Sequence, residues 1–218
     1  MKNFKRLLSY LMTIIMGVIL FSGIKVTNTL ADEVFKFETD KGYLNYVVDN
    51  DEITITDYSG EETELEIPSE INGKSVTKIG KEAFYRCTKL TNIEIPNSIT
   101  TIEDKAFKLC TKLTNIEIPN SVTNIGDYAF SYCTSIKSIK IPNLITSIGK
   151  STFHGCDSLE SVELPDSITT IGDSAFYRCS NLKSISLPNS ITNIEKQAFY
   201  YCNNLESIEI PNSVTNIG

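Results

Sequence analysis

The 218-residue sequence holds a single histidine, His154, and fewer basic than acidic residues, 20 lysines and arginines against 27 aspartates and glutamates. With one histidine, the chain offers no base paired with a serine or cysteine nucleophile. Its six cysteines lie 23 residues apart, so none has a second cysteine or histidine at zinc-ligand spacing. The run Asp49-Asn50-Asp51 lacks the glycine and distant glutamate of a calcium loop and predicts a turn. We therefore expect no catalytic residue, no metal site and no cofactor.

The N-terminus has the order of a secretory signal peptide. A basic start that ends at Arg6 precedes an apolar run over residues 7–24, and Ala31 closes a short segment of small residues. This order predicts a signal peptide over residues 1–31, cleaved after Ala31, and a secreted or cell-surface protein. The alternative is a retained membrane anchor, because about 18 apolar residues can just span a bilayer.

The charge excludes one large class of partner. The net charge is −7, and the first 31 residues carry four basic and no acidic residues, so cleavage would leave −11. Such a chain repels phosphate backbones, and we expect no nucleic-acid partner. Anionic membranes are disfavoured for the same reason, which leaves membrane contact only through a retained N-terminal segment.

One period of 23 residues organises the rest of the sequence. Three kinds of residue recur at this step: Cys87, Cys110, Cys133, Cys156, Cys179 and Cys202; Phe84, Phe107, Phe130, Phe153, Phe176 and Phe199; and Pro96, Pro119, Pro142, Pro165, Pro188 and Pro211. A period between about 20 and 50 residues indicates stacked supersecondary units that cannot fold singly.

Each unit contains two apolar patterns. In the unit that begins at Leu113, this residue, Ile116 and Ile118 alternate with polar residues and predict a strand that Pro119 ends. Apolar residues then follow at i, i+1, i+4 and i+7, which is typical of the inner face of a short helix: Ala129, Phe130, Cys133 and Ile136. The prediction is an α/β repeat solenoid with a parallel sheet on one face and short helices on the other.

The repeat L-x-x-I-x-I-P-x-S-[VI]-T-x-I-x-x-x-A-F-x-x-C resembles the BspA-like class of leucine-rich repeats, found in bacterial and protozoan surface proteins. The resemblance covers residues 64–218, about six repeats with the last incomplete. It implies a right-handed leucine-rich-repeat coil and attachment to matrix proteins or other cells. Serine stands in the turn where the general pattern has asparagine or cysteine, with Leu144 as the exception. Glu103 and Glu195 replace a recurrent glycine, so a positive φ is not required there.

Residues 32–63 lie outside the period. Two strands over residues 43–48 and 52–57 predict a small β-rich N-terminal cap for the first coil. Five extra residues, 70–74, predict a surface loop where this cap meets the repeats. No cap pattern follows the last repeat, which we interpret as a fragment or a truncated gene.

Three sets of side chains are candidates for function. One outward strand position forms a file that could dock a basic partner, hold calcium weakly or merely stay solvated: Glu66, Glu94, Glu117, Lys140, Glu163, Ser186 and Glu209. A second set could bind a ligand or shield the core edge: Tyr85, Tyr132, Tyr177, Tyr200 and Tyr201. The cysteine file favours buried free thiols over disulfides, because parallel β-carbons about 4.8 Å apart exceed the usual disulfide distance of about 3.8 Å.

The leading functional hypothesis is a non-catalytic, adhesin-like module that binds an extracellular protein, which could be a host matrix or neighbouring-cell protein. The alternatives are a carbohydrate or cell-wall binder that uses the tyrosines, and an accessory binding domain of a larger secreted enzyme. His154 replaces Tyr85 or Tyr177 at its repeat position and is predicted to be an exposed variable residue.

Overall fold

The computed structural model describes residues 33–218, so the predicted signal peptide lies outside the described residues. Seventeen strands, numbered β1–β17 along the chain, account for the regular structure of this region. Within residues 33–218, no helix is long and apolar enough to cross a bilayer.

Each repeat contributes two short strands, and equivalent strands of successive repeats stack in parallel. The first column contains the strands that precede each proline: β4 (Glu64–Glu66), β7 (Asn92–Glu94), β9 (Asn115–Ile116), β11 (Ser138–Lys140), β13 (Ser161–Glu163) and β15 (Ser184–Ile185). The second column contains the strands that follow it: β6 (Lys74–Ile79), β8 (Thr101–Ile102), β10 (Asn124–Ile125), β12 (Ser147–Ile148), β14 (Thr170–Ile171), β16 (Asn193–Ile194) and β17 (Asn216–Ile217). The solenoid therefore has two sheet faces rather than one.

The third side of each coil is a series of turns, and the predicted helices are wrong for residues 33–218. In the first repeat, Glu82 and Arg86 both have φ near +60° (61° and 62°), and the same two positions are left-handed in every later repeat. Alternate amides bond within the coil, as from Tyr85 N–H to the Glu82 carbonyl (2.9 Å). The others bond to the next coil, as from Phe84 N–H to the Ala106 carbonyl (2.8 Å). The hydrogen bonds of a helix would all stay within one segment, so this backbone instead joins neighbouring coils.

The core is built from the residues that the repeat aligns. The phenylalanine rings form a continuous stack from Phe84 to Phe199, with centroids 5.1 to 5.6 Å apart and planes within 9° of parallel. Five of the six rings are fully buried. Tyr58 extends the stack at its N-terminal end, 5.7 Å from Phe84. Stacked rings of this kind add aromatic contact to the apolar area that each coil buries.

Serine and threonine side chains tie the coils together at the corner between the two strand columns. Ser121 Oγ donates to the Ile99 carbonyl at 2.6 Å, and Thr123 Oγ1 donates to the Thr100 carbonyl at 3.2 Å. The same serine bond recurs at Ser167, Ser190 and Ser213, and the threonine bond at Thr169, Thr192 and Thr215. The serine hydroxyls satisfy carbonyls that have no backbone donor among the described residues. The threonine hydroxyls add a second donor to carbonyls that already accept a backbone N–H, as the Thr100 carbonyl does from Thr123.

Both strand columns are interrupted at the same coil. The first column divides between β9 and β11 and the second between β10 and β12. Leu144 occupies the serine position of the coil that follows the break, where its side chain is 54% exposed. Among the described residues, no hydrogen bond joins Thr146 to Thr123, although equivalent bonds flank this point on both sides. The turn side is continuous there, since Phe130 N–H donates to the Thr152 carbonyl at 2.9 Å.

The N-terminal segment is an antiparallel unit that joins the second column. Strands β1 (Phe35–Glu38), β2 (Gly42–Asp49) and β3 (Glu52–Gly60) pair in order, and β3 then pairs in parallel with β6. The two strands expected here are β2 and β3, whereas β1 had no clear signal in the sequence. The residues expected to form a surface loop instead form a hairpin, in which β5 (Glu70–Ile71) pairs with β6 around Asn72-Gly73. Both turn residues have positive φ, as a type I′ hairpin turn requires.

Candidate partner-binding surfaces

The predicted outward file lies on the exposed side of the first strand column. All seven of its side chains are exposed, while the residues that precede them in the strands are mostly buried, as Ile93 and Ile139 are. This alternation follows from the two-residue period of a strand, which sends neighbouring side chains to opposite faces. The file is therefore available to a partner along its whole length.

The pairing register places charged members of the file beside one another. Glu66 is in register with Glu94. Ile93 is in register with Ile116, and Glu94 and Glu117 are the residues that follow this pair. In-register residues on adjacent strands lie about 4.8 Å apart. Further along the column, Lys140 is in register with Glu163, and its Nζ lies 2.6 Å from Glu163 Oε1. The carboxylates with no salt-bridge partner among the described residues are therefore Glu66, Glu94 and Glu117 in the first part of the file and Glu209 at its end.

The break in the column separates two chemically different surfaces. The strands β4, β7 and β9 carry the acidic surface, which we define as Glu64, Glu66, Glu94 and Glu117. The strands β11, β13 and β15 carry small hydroxyl side chains and the single ion pair. These small side chains leave a shallow depression of about 470 Å³; its lining includes Ser138, Lys140, Ser161, Glu163 and Ser186. Among residues 33–218, no three potential metal ligands come together.

The tyrosine set divides into a ring stack and an isolated ring. Tyr177 stacks on His154, with centroids 4.7 Å apart and planes 15° from parallel. Tyr200 lies 5.5 Å from Tyr177, and Tyr201 meets Tyr200 edge-on at 4.3 Å. Because these rings cover one another, much of their flat surface serves the fold. Tyr85 lies outside this stack, because the equivalent position of the next repeat is Lys108, which has no ring to stack on it.

His154 is not the exposed variable residue that its repeat position predicts. Its ring is half-buried between Tyr132 and Tyr177, and Tyr132 Oη lies 3.2 Å from its Nε2. Gly155, with φ of +70°, makes room for this arrangement, because a β-carbon there would lie 2.8 Å from the Tyr132 ring. Burial lowers the pKa of His154, and the positive charges of Arg178 and Lys108 lower it further.

The cysteine file is free and mostly buried. All six thiols are unpaired; the inner four are buried, and Cys87 and Cys202 at the two ends are half-buried. The spacing did not predict that these thiols also form hydrogen bonds. Each thiol from Cys110 onwards donates to the carbonyl oxygen of the phenylalanine 26 residues earlier, at 3.0 to 3.2 Å. Burial raises the pKa of Cys156 well above its ordinary value. The thiols are therefore poor nucleophiles that join one coil to the next.

Glu103 and Glu195 replace the recurrent glycine without a positive φ, as predicted. Each instead accepts a hydrogen bond from the preceding coil: Glu103 Oε2 from Lys81 N–H at 2.9 Å, and Glu195 Oε2 from Asp173 N–H at 3.1 Å. Asp127 accepts a hydrogen bond from the following coil instead, from the Lys150 amide at 2.8 Å. Carboxylates on this corner of the solenoid are therefore occupied by the backbone.

The family-model comparison agrees with this architecture. The BspA type leucine-rich-repeat region matches in six copies, over residues 54–162 and 129–218. The chain belongs to the BspA-type leucine-rich-repeat family. Among proteins with curated descriptions, none matches it.

Solved bacterial relatives share the fold. A leucine-rich-repeat protein of T. pallidum is 35% identical, with a TM-score of 0.74 over 80% of this chain and 81% of that one. A leucine-rich cell surface protein of Faecalibacterium prausnitzii is 32% identical, with a TM-score of 0.74 over 87% of this chain and 52% of that one. A leucine-rich-repeat protein of Bacteroides ovatus is 33% identical, with a TM-score of 0.65 over 83% and 54%. The chain thus spans about half the length of the last two relatives.

Proposed function

We propose that this chain is an extracellular or cell-surface module that binds proteins, without catalysis, and that its acidic surface docks a basic partner. The single observation that carries the proposal is the run of exposed carboxylates on β4 and β7 and after β9. Glu66 and Glu94 are in register, and neither has a cation within salt-bridge distance among the described residues. Like charges so close together repel, and a basic partner would relieve that repulsion.

The N-terminal sequence and one relative support an extracellular or cell-surface location. The basic start and apolar run of residues 1–31 have the pattern of a signal peptide, and the F. prausnitzii relative is described as a cell surface protein. We expect the mature chain to begin at Asp32. Mass spectrometry of the exported protein tests this expectation, and recovery of an intact Met1 in the membrane fraction would contradict it.

The acidic surface can be tested with variants that preserve shape. In Glu94→Gln with Glu117→Gln, two carboxylates become amides of nearly the same volume. Glu163→Gln is the matched control, because Glu163 occupies the same strand position but is already paired with Lys140. Binding to a panel of immobilised extracellular matrix proteins should fall for the double variant and change little for the control.

The tyrosines provide the competing outcome. Replacing Tyr177 and Tyr200 by serine should leave matrix-protein binding nearly unchanged, provided that a thermal melt shows the stack still folded. Loss of binding in this variant, together with full binding by Glu94→Gln/Glu117→Gln, would contradict the proposal. It would instead favour the ring stack and a carbohydrate ligand, which a glycan array would then identify.

A further inference from the structure

A groove lies where the N-terminal unit meets the first repeat. Residues 41–43 and 58–62 form one wall, and the turn residues 85–90 form the other. Its volume is about 630 Å³. Small-molecule sites in proteins typically occupy about 300–1,000 Å³, whereas protein partners use broader and flatter surfaces.

Two glycines lie in the floor of this groove. Gly42 and Gly60 face each other in register on β2 and β3. A β-carbon on Gly42 would collide with the Ser59 carbonyl oxygen, and one on Gly60 would collide with the Tyr58 hydroxyl and the Glu62 carboxylate. Neither glycine has a positive φ, so the close approach of neighbouring groups accounts for the residue choice. The two glycines therefore let neighbouring groups of the protein pack closely, and this packing shapes the floor of the groove.

The wall beside this floor is fixed before any ligand arrives. Glu62 is only 6% exposed, and its carboxylate accepts hydrogen bonds from Thr39 Oγ1 (2.5 Å), the Lys41 amide (2.6 Å) and the Tyr58 hydroxyl. Burial alone would raise the pKa of Glu62, but the hydrogen bonds from Thr39 and Lys41 outweigh it and lower the pKa. The carboxylate stays ionised and engaged, so it positions the wall and is not available to the ligand.

The charges that remain free in the groove are positive. Glu61 forms an ion pair with Lys89 across the two walls. Among residues 33–218, no carboxylate lies within salt-bridge distance of the Lys41 ammonium or the Arg86 guanidinium, and both residues are exposed. In a chain of net charge −7, this groove is a place where an anion is attracted. A guanidinium also suits a carboxylate, because its donors match both oxygens.

An exposed aromatic ring stands beside the free guanidinium. Tyr85 is 40% exposed, and no other aromatic ring among the described residues stacks on it. Tyr43 on the opposite wall is half-buried, with Lys36 Nζ 4.0 Å from its ring centre. An exposed ring and an exposed cation on adjacent residues suit a pyranose ring that carries a carboxylate, since its apolar face can pack on tyrosine while its hydroxyls stay hydrogen-bonded.

We propose that this groove binds an acidic sugar, a hexuronic-acid unit whose carboxylate pairs with Arg86 and whose ring packs on Tyr85. The sugar is favoured over an acidic peptide because the groove has no deep apolar pocket for a hydrophobic anchor, which peptide recognition uses. The site is separate from the acidic strand surface, and it stands or falls independently of protein docking there.

The repeat supplies a matched control. Tyr177, Arg178 and Cys179 repeat the sequence of Tyr85, Arg86 and Cys87 four units later, and Arg178 has a φ of 58° where Arg86 has 62°. The later copy has no N-terminal unit beside it. The full chain should be titrated calorimetrically with an oligosaccharide of alternating glucuronate and N-acetylglucosamine. The neutral control sugar is a tetramer of N-acetylglucosamine.

The expected result is binding of the acidic sugar that Arg86→Gln or Tyr85→Ser weakens about tenfold, as loss of a charge-assisted contact implies. Arg178→Gln and Tyr177→Ser should leave it unchanged, and the neutral sugar should bind at least tenfold more weakly. Equal loss at both copies would overturn the proposal in favour of the ring stack. So would tighter binding of a hexaglutamate peptide than of the sugar, or no binding of the acidic sugar to the unaltered chain.

Discussion

The ring of Phe107 lies 5.4 Å from that of Phe130, and the two planes are within 2° of parallel. The same relationship joins each repeat to the next. Because both faces of an inner ring are covered by neighbouring rings, the stack helps to set the register between coils as well as filling the core.

Replacing Phe130 by alanine should therefore destabilise the chain by about 3–5 kcal/mol, through lost burial and the cavity left in the stack. Urea unfolding followed by circular dichroism measures the change. Phe199→Ala is the control, since Phe199 is half-buried and has a stacked ring on one side only among the described residues. It should cost clearly less. Equal costs, or a cost below about 1 kcal/mol for Phe130→Ala, would show that the stack does not contribute as described.

The thiols should react in the order of their exposure. Alkylation requires an accessible thiolate. Cys202 is half-buried and its pKa rises to about 11, whereas burial raises the pKa of Cys156 well above its ordinary value. Mass spectrometry after native alkylation should find Cys202 modified before the inner four, and denaturant should expose all six. Uniform native labelling, or three mapped disulfides, would contradict the buried hydrogen-bonded file.

Leu144 should be a site where stability can be gained. Leu144→Ser restores a hydroxyl at the position from which Ser121 and Ser167 bond the preceding coil. The expected acceptor is the Val122 carbonyl, and a net gain of about 1 kcal/mol follows from one hydrogen bond. Ser167→Leu is the reverse control and should lose a similar amount. If neither variant shifts the urea midpoint, the hydroxyl ladder contributes nothing to stability.

The half-buried His154 should make stability depend on pH. Burial lowers the pKa of His154, so the unfolded chain binds a proton more readily than the folded chain. Its contribution is complete above the unfolded pKa of about 6.5 and is lost as pH falls below it. Between pH 7 and 5, the melting temperature of the unaltered chain should drop more than that of His154→Tyr, which carries the residue found at this position in three other repeats, Tyr85, Tyr177 and Tyr200. Parallel curves would show that His154 titrates as if exposed.

The sequence alone identified most of the core and the exposed file. A fixed period gives aligned positions, and residues such as Phe130, Cys133 and Ile116 are buried wherever a repeat has neighbours on both sides. The helices could not be excluded in this way, because apolar residues at i, i+1, i+4 and i+7 fit a helix as well as a series of turns. Turns are distinguished from a helix by the acceptors of alternate amides, which are carbonyls of the next coil and therefore cannot be identified from one repeat alone.

Two features could not be predicted from the sequence, because each brings together residues that do not align in the repeat. The environment of His154 depends on Tyr132 of the preceding repeat, which aligns with Gly155 and not with His154. It also depends on the space left by Gly155. The groove beside Tyr85 depends on Gly42 and Gly60, which lie outside the period. In both cases a glycine was the signal present in the sequence, and its meaning required the identity of the facing side chain.

The acidic surface is tested most directly by the rate at which a matrix protein that binds the chain associates with it. Surface plasmon resonance at about 50 and 150 mM salt should show association slowed by added salt, because screening shortens the range of steering. For Glu94→Gln with Glu117→Gln, the account predicts slower association and a flatter salt dependence, with the melting temperature unchanged and Glu163→Gln behaving like the unaltered chain. Identical association rates for the double variant and the unaltered chain at both salt concentrations would contradict it.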